Sequence, residues 1–418
     1  MFKPESIKIG IVGLGYVGLP LAIAFAEKYT VTGYDINAKR INELNKSIDE
    51  TGEVSTDDLN NADKLTLTSS LNELSNCNVF IITVPTLINQ YKEPDFRFLF
   101  KASEDIASIL KKGDTVIYES TVYPGATEEE CIPILEKISG LTLNIDFFVG
   151  YSPERINPGD KKNTLKTIVK LTSGSNEATR VFVDHLYSSI ITAGTCSVSS
   201  IKVAEAAKVI ENTQRDINIA FVNELSQILA PMAVSTQEVL AAAGTKWNFL
   251  KFTPGLVGGH CIGINPYFLS YKSSTLGYTP QLILNSRRIN EGMPLFVAEQ
   301  IILHLAKRQI SPVVAKILIL GASFKENCPD VRNSKVLELI SNLEEYKVQL
   351  TVFDPIVAGM DSVVSDIKVL QHLQFDCIVL AVPHNDFLIT NWSDYLSTSG
   401  FIYDIKGFLP LATNTIRL

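Results

Sequence analysis

Short apolar runs alternate with longer helix-like stretches over the first third of the chain. Several of these runs are rich in β-branched and aromatic residues and end at a glycine, a serine or a proline. Alternation of this kind predicts βαβ units, in which parallel strands form a sheet with helices on both faces. The predicted strands are Ile7–Val12, Val31–Asp35, Val79–Val84, Asp114–Glu119 and Phe147–Tyr151, with a helix from about Tyr16 to Lys28 after the first.

The middle of the chain has a different pattern. It contains neither glycine nor proline from Thr195 to Ala230, and its apolar residues recur at helical spacing. A helix of about 30 residues would be roughly 45 Å long, which is longer than one small domain needs. We therefore expect a spine that connects two domains, or a dimer contact. The apolar stripe consists of Ile210, Ile217, Phe221, Leu225 and Ile228.

After Pro312 the alternating pattern returns and indicates a second, smaller α/β region. Together the patterns predict an α/β fold, with two Rossmann-like doubly wound domains joined by a long central helix in a helical middle domain. The predicted domains are 1–195, 196–311 and 312–418. The predicted strands of the last domain are Lys316–Leu320, Thr351–Phe353, Cys377–Val382 and Phe401–Ile405.

Composition narrows the class of protein. The chain has 418 residues, 46% of them hydrophobic and 20% charged, which is typical of a folded globular protein. Its formal net charge of −8 argues against a general nucleic-acid binder but permits a local basic pocket. The six cysteines show no CxxC spacing, so we expect a reducing compartment, mostly buried free thiols, no disulfide scaffold and no bound metal.

One uncharged stretch, Ile9–Ala26, resembles a signal peptide or a short membrane span. It contains four glycines and a proline after its first residue, which is too many helix breakers for one apolar helix. A strand, a glycine turn and a helix account for the same residues better. The sequence therefore predicts a cytoplasmic protein that binds neither membranes nor nucleic acid.

The glycine turn has the spacing of a dinucleotide-binding motif. Gly13, Gly15 and Gly18 form GxGxxG directly after a predicted strand and at the start of a helix. This arrangement permits a tight turn, close approach of the backbone to a pyrophosphate, and helix packing on the strand. Asp35 ends the next strand, where an acid binds the adenosine ribose and favours NAD over NADP. Arg40 lies nearby and weakens that preference.

A second glycine-rich segment surrounds Cys261. Glycines at 258, 259 and 263 allow close backbone approach, which suits a nucleophile that must reach a substrate. On this motif alone, a small buried thiol remains the more common alternative.

One stripe of the central helix is polar. Its members lie three or four residues apart, which usually marks a solvated face with weak ion pairs. Because the surrounding helix is rich in alanine and apolar residues, we expect the lysine to be partly buried, where it can stabilise an oxyanion or move protons. The stripe consists of Glu205, Lys208, Asn212 and Asp216.

The motifs occur in an order that resembles the UDP-glucose/GDP-mannose dehydrogenase family over nearly the whole chain. The segments SPERINPGDKK and KWNF are most similar to the branch that acts on UDP-N-acetylhexosamines. The matching segments are GLGYVGLP from 13 to 20, STV at 120–122, SPERINPG at 152–159, EAAKVIENTQRDINIAFVNE at 205–224, GLVGGHCIG at 255–263 and FKENCPDVRNS at 324–334.

The resemblance implies an NAD-dependent, four-electron oxidation of the sugar C6 hydroxyl to a carboxylate, supplying precursors of capsular or surface polysaccharide. Cys261 would form a thiohemiacetal and then a thioester, which splits one difficult step into easier ones. Lys208 and Asn212 match residues that hold the C6 oxygen. Glu154 matches an acid/base residue of thioester hydrolysis, and Thr121 matches a residue that positions a water.

The same resemblance implies the remaining binding residues and a homodimer built around the central helix. In this view the middle domain carries the catalytic lysine and cysteine, and the last domain binds the UDP-sugar. The expected cofactor-binding residues are Gly13, Gly15, Tyr16, Val17, Gly18, Asp35, Arg40, Thr83, Pro85, Thr121 and Arg332. The expected substrate-binding residues are Glu154, Arg155, Lys208, Asn212, Lys251, Gly258 and Lys325.

The sequence departs from the family at one position of the expected catalytic set. Asn265 stands where the family has an aspartate that is linked to the catalytic water and to proton transfer. Asparagine forms hydrogen bonds but takes up no proton at neutral pH. Two alternatives therefore stay open: a two-electron NAD-dependent dehydrogenase of similar architecture, and a weakly active nucleotide-sugar sensor.

Overall fold

A computed structural model of the chain describes residues 6–156, 162–259, 262–357, 359–410 and 414–418. The chain divides into two compact units. The first contains Met1–Glu211 and Tyr267–Tyr278, and the second contains Asn212–Pro266 and Thr279–Leu418.

The first unit is built on an eight-stranded sheet in the order β10-β9-β8-β7-β4-β1-β2-β3. Neighbouring strands are parallel, except that β8 and β9 are antiparallel. A separate two-stranded antiparallel pair joins β5 and β6. The strands are β1 (Lys8–Val12), β2 (Thr30–Tyr34), β3 (Leu65–Thr68), β4 (Val79–Ile82), β5 (Leu87–Ile88), β6 (Pro94–Asp95), β7 (Thr115–Tyr118), β8 (Phe148–Tyr151), β9 (Lys170–Gly174) and β10 (Thr195–Ser197).

Helices follow these strands in the first unit. A core of buried aliphatic and aromatic side chains includes Ile9 and Ile11 of β1 and Leu21 of the first helix. The uncharged segment near the N-terminus is therefore a strand, a turn and a helix, as predicted. The helices are α1 (Gly18–Ala26), α2 (Ala38–Leu44), α3 (Thr56–Asn60), α4 (Arg97–Ile109), α5 (Ile132–Ser139) and α6 (Glu177–Ser188), with a 3-10 helix at Leu71–Asn76 and a π-helix at Thr127–Cys131.

The predicted central helix is α7 (Ile201–Leu229), which has 29 residues. Its apolar stripe is largely exposed, with Ile210, Phe221 and Ile228 at 51%, 52% and 53% of full exposure. Its polar stripe is buried: Glu205, Lys208, Asn212 and Asp216 are each no more than 6% exposed. The expected burial of the lysine is confirmed, and part of the surface that the helix presents to solvent is apolar.

The rest of the middle region is also helical. The longest of these helices continues on both sides of Pro294. The helices are α8 (Thr236–Ala243), α9 (Asn265–Thr275) and α10 (Gln281–Lys307), with short 3-10 helices at Ala230–Met232 and Pro312–Val314.

The second unit contains a six-stranded parallel sheet in the order β13-β12-β11-β14-β15-β16. Buried side chains of α10 and α11 pack on one side of its core, and a cluster that includes Phe387 and Trp392 forms another. The elements are β11 (Lys316–Leu320), α11 (Lys335–Glu345), β12 (Gln349–Phe353), β13 (Val363–Val364), β14 (Phe375–Leu380), β15 (Leu396–Asp404) and β16 (Thr415–Arg417), with 3-10 helices at Ile367–Leu370, Asn385–Ile389 and Trp392–Tyr395.

The predicted α/β class with Rossmann-like parallel sheets and a helical middle region is confirmed. The division at 195 and 311 into three domains stays a prediction. Within the described ranges, no helix combines the length and the apolar character that a membrane span requires.

Candidate active site

The glycine turn after β1 is shaped for close backbone contact. Gly13 has a φ of +93°, in the left-handed region that favours glycine. A Cβ atom on Gly18 would lie 1.8 Å from the carbonyl oxygen of Gly13, so only glycine fits there. By contrast, a Cβ on Gly15 would meet nothing within 4 Å, which leaves open space beside the backbone. Tyr16 and Val17 complete the turn into α1.

Two threonines follow β4, which pairs with β1, and β7, which pairs with β4. The hydroxyl of Thr83, just after β4, donates to the carbonyl of Gly13 across 2.7 Å and so fixes the turn. Pro85 lies two residues further on and is exposed. Thr121 follows β7, and its carbonyl accepts a hydrogen bond of 2.6 Å from the hydroxyl of Thr86. The carboxyl ends of β4 and β7 thus bring both predicted threonines to one edge of the sheet.

The carboxylate of Asp35 is fixed at the end of β2. One of its oxygens accepts from the backbone N–H of Leu14 and the other from the backbone N–H of Asn37, each across 2.9 Å. The acid therefore lies directly against the glycine turn, where a ribose hydroxyl is bound in dinucleotide-binding folds.

Arg40 has a structural role that the sequence analysis did not anticipate. Its guanidinium is only 4% exposed and donates to the carbonyl of Leu14 across 3.0 Å and to Asp49 across 2.7 Å. These bonds let Arg40 support the glycine turn, and its role in cofactor binding stays a prediction.

Glu154 lies in a buried ion cluster. One carboxylate oxygen accepts from the backbone N–H groups of Arg155 and Ile156, and the other accepts from the ammonium of Lys170 across 2.9 Å. Lys170 also donates to Glu119 across 2.7 Å. Burial alone raises the pKa of Glu154, but the charge and hydrogen bond of Lys170 and the backbone N–H donors outweigh it, so the pKa is lowered.

Arg155 is directed away from Glu154 by a second ion pair. Its guanidinium lies 2.9 Å from Glu211 and donates to the carbonyl of Val169 across 3.0 Å. The pair is about one-third exposed on each side.

Lys208 and Asn212 are four residues apart on α7 and so share one face of the helix. Both are buried, each at 6% exposure. The side-chain amide of Asn212 donates to the side-chain oxygen of Asn265 across 2.8 Å, and Asn265 begins α9. The structure therefore brings together Asn212 and the residue that replaces the family's aspartate.

The segment before Cys261 is packed against backbone. The N–H of Gly259 donates to the carbonyl of Asn333 across 3.1 Å. A Cβ on Gly258 would lie 2.6 Å from that same carbonyl oxygen, and a Cβ on Gly259, whose φ is +79°, would lie 2.6 Å from the Phe324 ring. A side chain at either position would clash with these neighbouring atoms, so both positions require glycine.

Asn223 of α7 holds the start of this segment. Its amide oxygen accepts from the N–H of Gly255 across 2.7 Å, and its amide nitrogen donates to the Gly255 carbonyl across 3.0 Å. The same nitrogen donates to Asn290, which in turn donates to Asp216. A buried polar network therefore fixes the backbone six residues before Cys261.

The other predicted residues of the second unit lie at different levels of exposure. The guanidinium of Arg332 is paired with both oxygens of Asp330 and is 60% exposed. The ammonium of Lys325 lies 5.7 Å from the centre of the Phe324 ring. Lys251 is exposed.

Cys261 lies outside the described residues. Of the other cysteines, Cys77, Cys131, Cys328 and Cys377 are buried and Cys196 is exposed, and none of these five forms a disulfide. Among the residues described, no group of three or more His, Cys, Asp or Glu side chains has an arrangement that holds a metal ion.

Three supporting residues were missed in the sequence. Lys170, Glu119 and Asn223 act through contacts with partners far away in the chain; the Lys170–Glu119 pair spans 51 positions. The one local signal was a lysine in the segment that forms β9, where a charged side chain needs a buried partner.

The family of the chain follows from its match along most of its length. Residues 7–191 match the NAD binding domain, 202–292 the central domain and 318–410 the UDP binding domain of the UDP-glucose/GDP-mannose dehydrogenase family. The chain belongs to this family of oxidoreductases, and its cofactor is NAD.

Individual relatives are similar over their full length. The chain is 52% identical to a Pseudomonas aeruginosa protein named UDP-N-acetyl-D-glucosamine 6-dehydrogenase, over 99% of this chain and 100% of that protein. It is 48% identical to the Salmonella typhi protein of the same name, over 100% of both chains. Its fold matches the UDP-D-ManNAc dehydrogenase structure from Pyrococcus horikoshii with a TM-score of 0.90 and 32% identity, covering 98% of each chain.

The residues of the first unit fit NAD. The open space at Gly15 leaves room for a pyrophosphate beside the N-terminus of α1, whose free N–H groups favour an anion. The fixed carboxylate of Asp35 accepts hydrogen bonds from ribose hydroxyls and repels a 2′-phosphate.

Proposed function

We propose that this protein is an NAD-dependent UDP-N-acetylhexosamine 6-dehydrogenase that forms a precursor of capsular or surface polysaccharide. The observation that carries the proposal is the 52% identity, over the full length of both chains, to a UDP-N-acetyl-D-glucosamine 6-dehydrogenase. The arrangement of Lys208 and Asn212 on one buried helix face supports it, because both are donors suited to an oxygen that gains negative charge.

The proposed reaction oxidises the C6 alcohol in two stages. NAD+, when bound, would supply the hydride acceptor of each stage. After the first oxidation, the Cys261 thiolate attacks the aldehyde, and the thiohemiacetal is oxidised to a thioester. Water then releases the carboxylate and the thiol. Capture on Cys261 also keeps the aldehyde from escaping.

Lys208 and Asn212 stabilise the C6 oxygen. Each stage creates negative charge on this oxygen, and a cation and an amide donor placed in advance cost no reorganisation. The hydrogen bond to Asn265 fixes the Asn212 amide, because its Nδ2 atom is the donor in that bond. One proton of that Nδ2 atom remains for the substrate.

Glu154, Thr121 and Asn265 form the proposed hydrolytic group. Glu154 is held as a carboxylate by Lys170. Thr121 and Asn265 supply a hydroxyl and an amide that bind water. Asn265 accepts and donates hydrogen bonds but stores no proton, so the proton released by water has to go to other groups.

The remaining assignments are also proposals. The glycine turn, Asp35, Thr83 and Pro85 would hold the cofactor, and the family resemblance implies Arg332 as a further cofactor residue. Arg155, Lys251, Gly258 and Lys325 bind the nucleotide sugar. Each predicted domain has its own role: 1–195 binds NAD, 196–311 carries Lys208 and Cys261, and 312–418 binds UDP.

Product stoichiometry tests the proposal directly. With UDP-GlcNAc or UDP-GalNAc as substrate, we expect two molecules of NADH for each sugar consumed, with the uronic acid as product. Cys261→Ser should abolish acid formation. Cys196→Ser is the matched control, since this free thiol is exposed and outside the proposed site, and it should keep full activity.

The alternatives give different results. One NADH per sugar with accumulated aldehyde would identify a two-electron dehydrogenase. UDP that raises the thermal unfolding midpoint without any turnover would identify a sensor, since a ligand at 100 times its Kd adds about 2.7 kcal/mol of stability. Unchanged acid output from Cys261→Ser would refute the thioester route.

A further inference from the structure

We propose that Lys170 is a positioning residue of the reaction: it holds Glu154 as a fixed carboxylate with one acceptor position left for water. This inference rests on the proposed function, because Glu154 matters for catalysis only if a thioester is hydrolysed. It adds a residue that no motif of the sequence contains.

The geometry of Glu154 supports this role. Its Oε1 atom accepts from the backbone N–H groups of Arg155 and Ile156 across 2.6 and 2.8 Å, and its Oε2 atom accepts from Lys170 across 2.9 Å. A carboxylate has about four acceptor positions. Three are occupied, so the carboxylate cannot rotate freely, and one position on Oε2 remains.

Lys170 is itself fixed by a second carboxylate. It is 2% exposed and donates to Glu119 across 2.7 Å, while Glu119 also accepts from the hydroxyl of Tyr187. Burying a single ammonium or carboxylate is costly unless each charge is paired and hydrogen-bonded. The cluster meets that condition only with Lys170 protonated, so the lysine is present as a cation.

The two glutamates are not equivalent. Burial raises the pKa of Glu119 and outweighs the lowering by Lys170, and the Glu154 charge adds to that rise. For Glu154, the backbone N–H donors of Arg155 and Ile156 act together with Lys170, and the pKa is lowered in spite of burial. For Lys170 burial lowers the pKa, but the two carboxylates outweigh it and raise the pKa overall. Glu119 is therefore the member of the cluster that takes up a proton first.

The charges that shift the pKa values of Glu119, Glu154 and Lys170 are those of the cluster itself. Lys170 belongs to β9, Glu119 follows β7 and Tyr187 lies on α6. The charged side chain next to Glu154 is that of Arg155, which is paired with Glu211 on α7. The protonation state of Glu154 is thus governed by Lys170 more than by the remaining groups.

The test compares three variants of the full-length protein. Lys170→Met removes the cation, Glu119→Gln removes the competing carboxylate, and the double variant Lys170→Met/Glu119→Gln leaves Glu154 with its backbone donors alone. We expect Lys170→Met to lower kcat about tenfold or more and to shift the acidic limb of the kcat profile upward by about one pH unit or more. Glu119→Gln should shift that limb downward.

A direct titration keeps this test separate from the proposed activity. With glutamate labelled by 13C at the side-chain carboxyl, the signal that disappears in Glu154→Gln belongs to Glu154. We expect its midpoint to lie below the ordinary glutamate range in the wild type and to rise in Lys170→Met. Equal midpoints in both proteins would overturn the positioning role even if the enzyme is active.

Controls distinguish positioning from folding. NAD+ affinity and the KM for the sugar should change less than kcat, because neither ligand is bound by Lys170. If Lys170→Met does not fold, the double variant replaces it, since it buries one unpaired charge fewer. A double variant with wild-type kcat and an unshifted limb would also overturn the proposal. Absence of NADH formation by the wild type would refute the proposed function and leave the titration result standing.

Discussion

The side-chain amide of Asn212 donates a hydrogen bond to the side-chain oxygen of Asn265 across 2.8 Å, and both residues are buried. One comes from α7 and the other begins α9, within the second unit. The contact needs only an acceptor at position 265, which an aspartate supplies equally well. Asparagine thus preserves the geometry of the family's site and removes one titratable group from it.

We expect Asn265→Asp to increase activity. A carboxylate keeps the hydrogen bond from Asn212 and adds a proton acceptor, and general acid–base catalysis contributes about 10²–10⁴-fold. The variant should therefore raise kcat about tenfold or more at neutral pH, with little change in KM. Steady-state NADH formation over a range of pH checks this, and the variant should show a second acidic limb in addition to the one assigned to Glu154.

Asn265→Ala is the matched control for that variant. It removes the acceptor and leaves the amide of Asn212 buried without its partner, which costs about 1–3 kcal/mol. We expect lower kcat and a lower thermal unfolding midpoint. An aspartate variant no more active than the wild type would show that proton transfer at this position does not limit the rate.

A second prediction concerns Gly258. Alanine there would place its Cβ 2.6 Å from the backbone carbonyl of Asn333, which cannot move without disturbing the segment it belongs to. We expect Gly258→Ala to lower kcat/KM about tenfold or more, because small displacements of reacting groups are costly. Gly292→Ala is the control: it lies within α10 with nothing inside 4 Å, and should raise stability by about 0.5–1 kcal/mol.

The two glycine variants distinguish the effect of a steric clash at position 258 from the effect of backbone freedom at position 292. Loss of activity in Gly258→Ala with an intact fold by circular dichroism would show that the glycine-rich segment has to be placed accurately. Similar activity in both variants would mean that the segment before Cys261 tolerates displacement.

A third prediction concerns the pH dependence of stability. Burial raises the pKa of Asp354, but hydrogen bonds from His384 and from backbone N–H groups, including that of Ala322, outweigh it and lower the pKa to about 2. A carboxyl whose pKa is lowered on folding stabilises the protein above its ordinary pKa, and that contribution is lost as pH falls toward 2. It amounts to about 2 kcal/mol at neutral pH.

We therefore expect Asp354→Asn to lower the thermal unfolding midpoint at pH 7, and to lower it less as the pH approaches 3. Asp361→Asn, at an exposed position of the same unit, should leave the midpoint unchanged at both values. If the unfolding midpoints of the Asp354 variant and the wild type differ by the same amount at every pH, the pKa of Asp354 is not lowered on folding.

The exposed apolar stripe of α7 leads to a fourth prediction. Three of its residues, Ile210, Phe221 and Ile228, are about half exposed. In a homodimer built around this helix they would be covered, and burying one such side chain contributes about 1.5–3 kcal/mol. Phe221→Asp should therefore weaken the dimer about tenfold or more, as measured by light scattering over a dilution series.

Arg215→Asp is the control for this surface. It is exposed on the same helix but points about 120° away from Phe221, and it should leave the dimer intact. A wild-type protein that is monomeric throughout the dilution series would refute the homodimer.

The strands and the long helix followed from the sequence because their signals are local. β11 lies where its apolar run predicts it, and α7 extends over the segment that lacks glycine and proline. β9 was not predicted, since its sequence KLTSG has no clear apolar run, and its antiparallel pairing with β8 depends on contacts between distant segments. The exposure of Phe221 also contradicts what its apolar character alone suggests, and a partner chain would supply the missing context.

The candidate site was predictable only in part for the same reason. The glycine turn and Asp35 belong to one short segment with a distinct spacing. The contacts of Lys170 with Glu119 and Glu154 depend on how three separate strands meet in the sheet. The pairing of Arg40 with Asp49 did not follow either, because Asp49 lies in a loop whose conformation no local pattern specified.

Glu205 links α7 to the segment that follows β7. Its buried carboxylate accepts from the backbone N–H groups of Gly125 and Thr127, within a few residues of Thr121. Lys208 is three residues further along the same helix. The lysine and the threonine both belong to the first unit, and changing the spacing between their two segments would break the buried hydrogen bonds of Glu205.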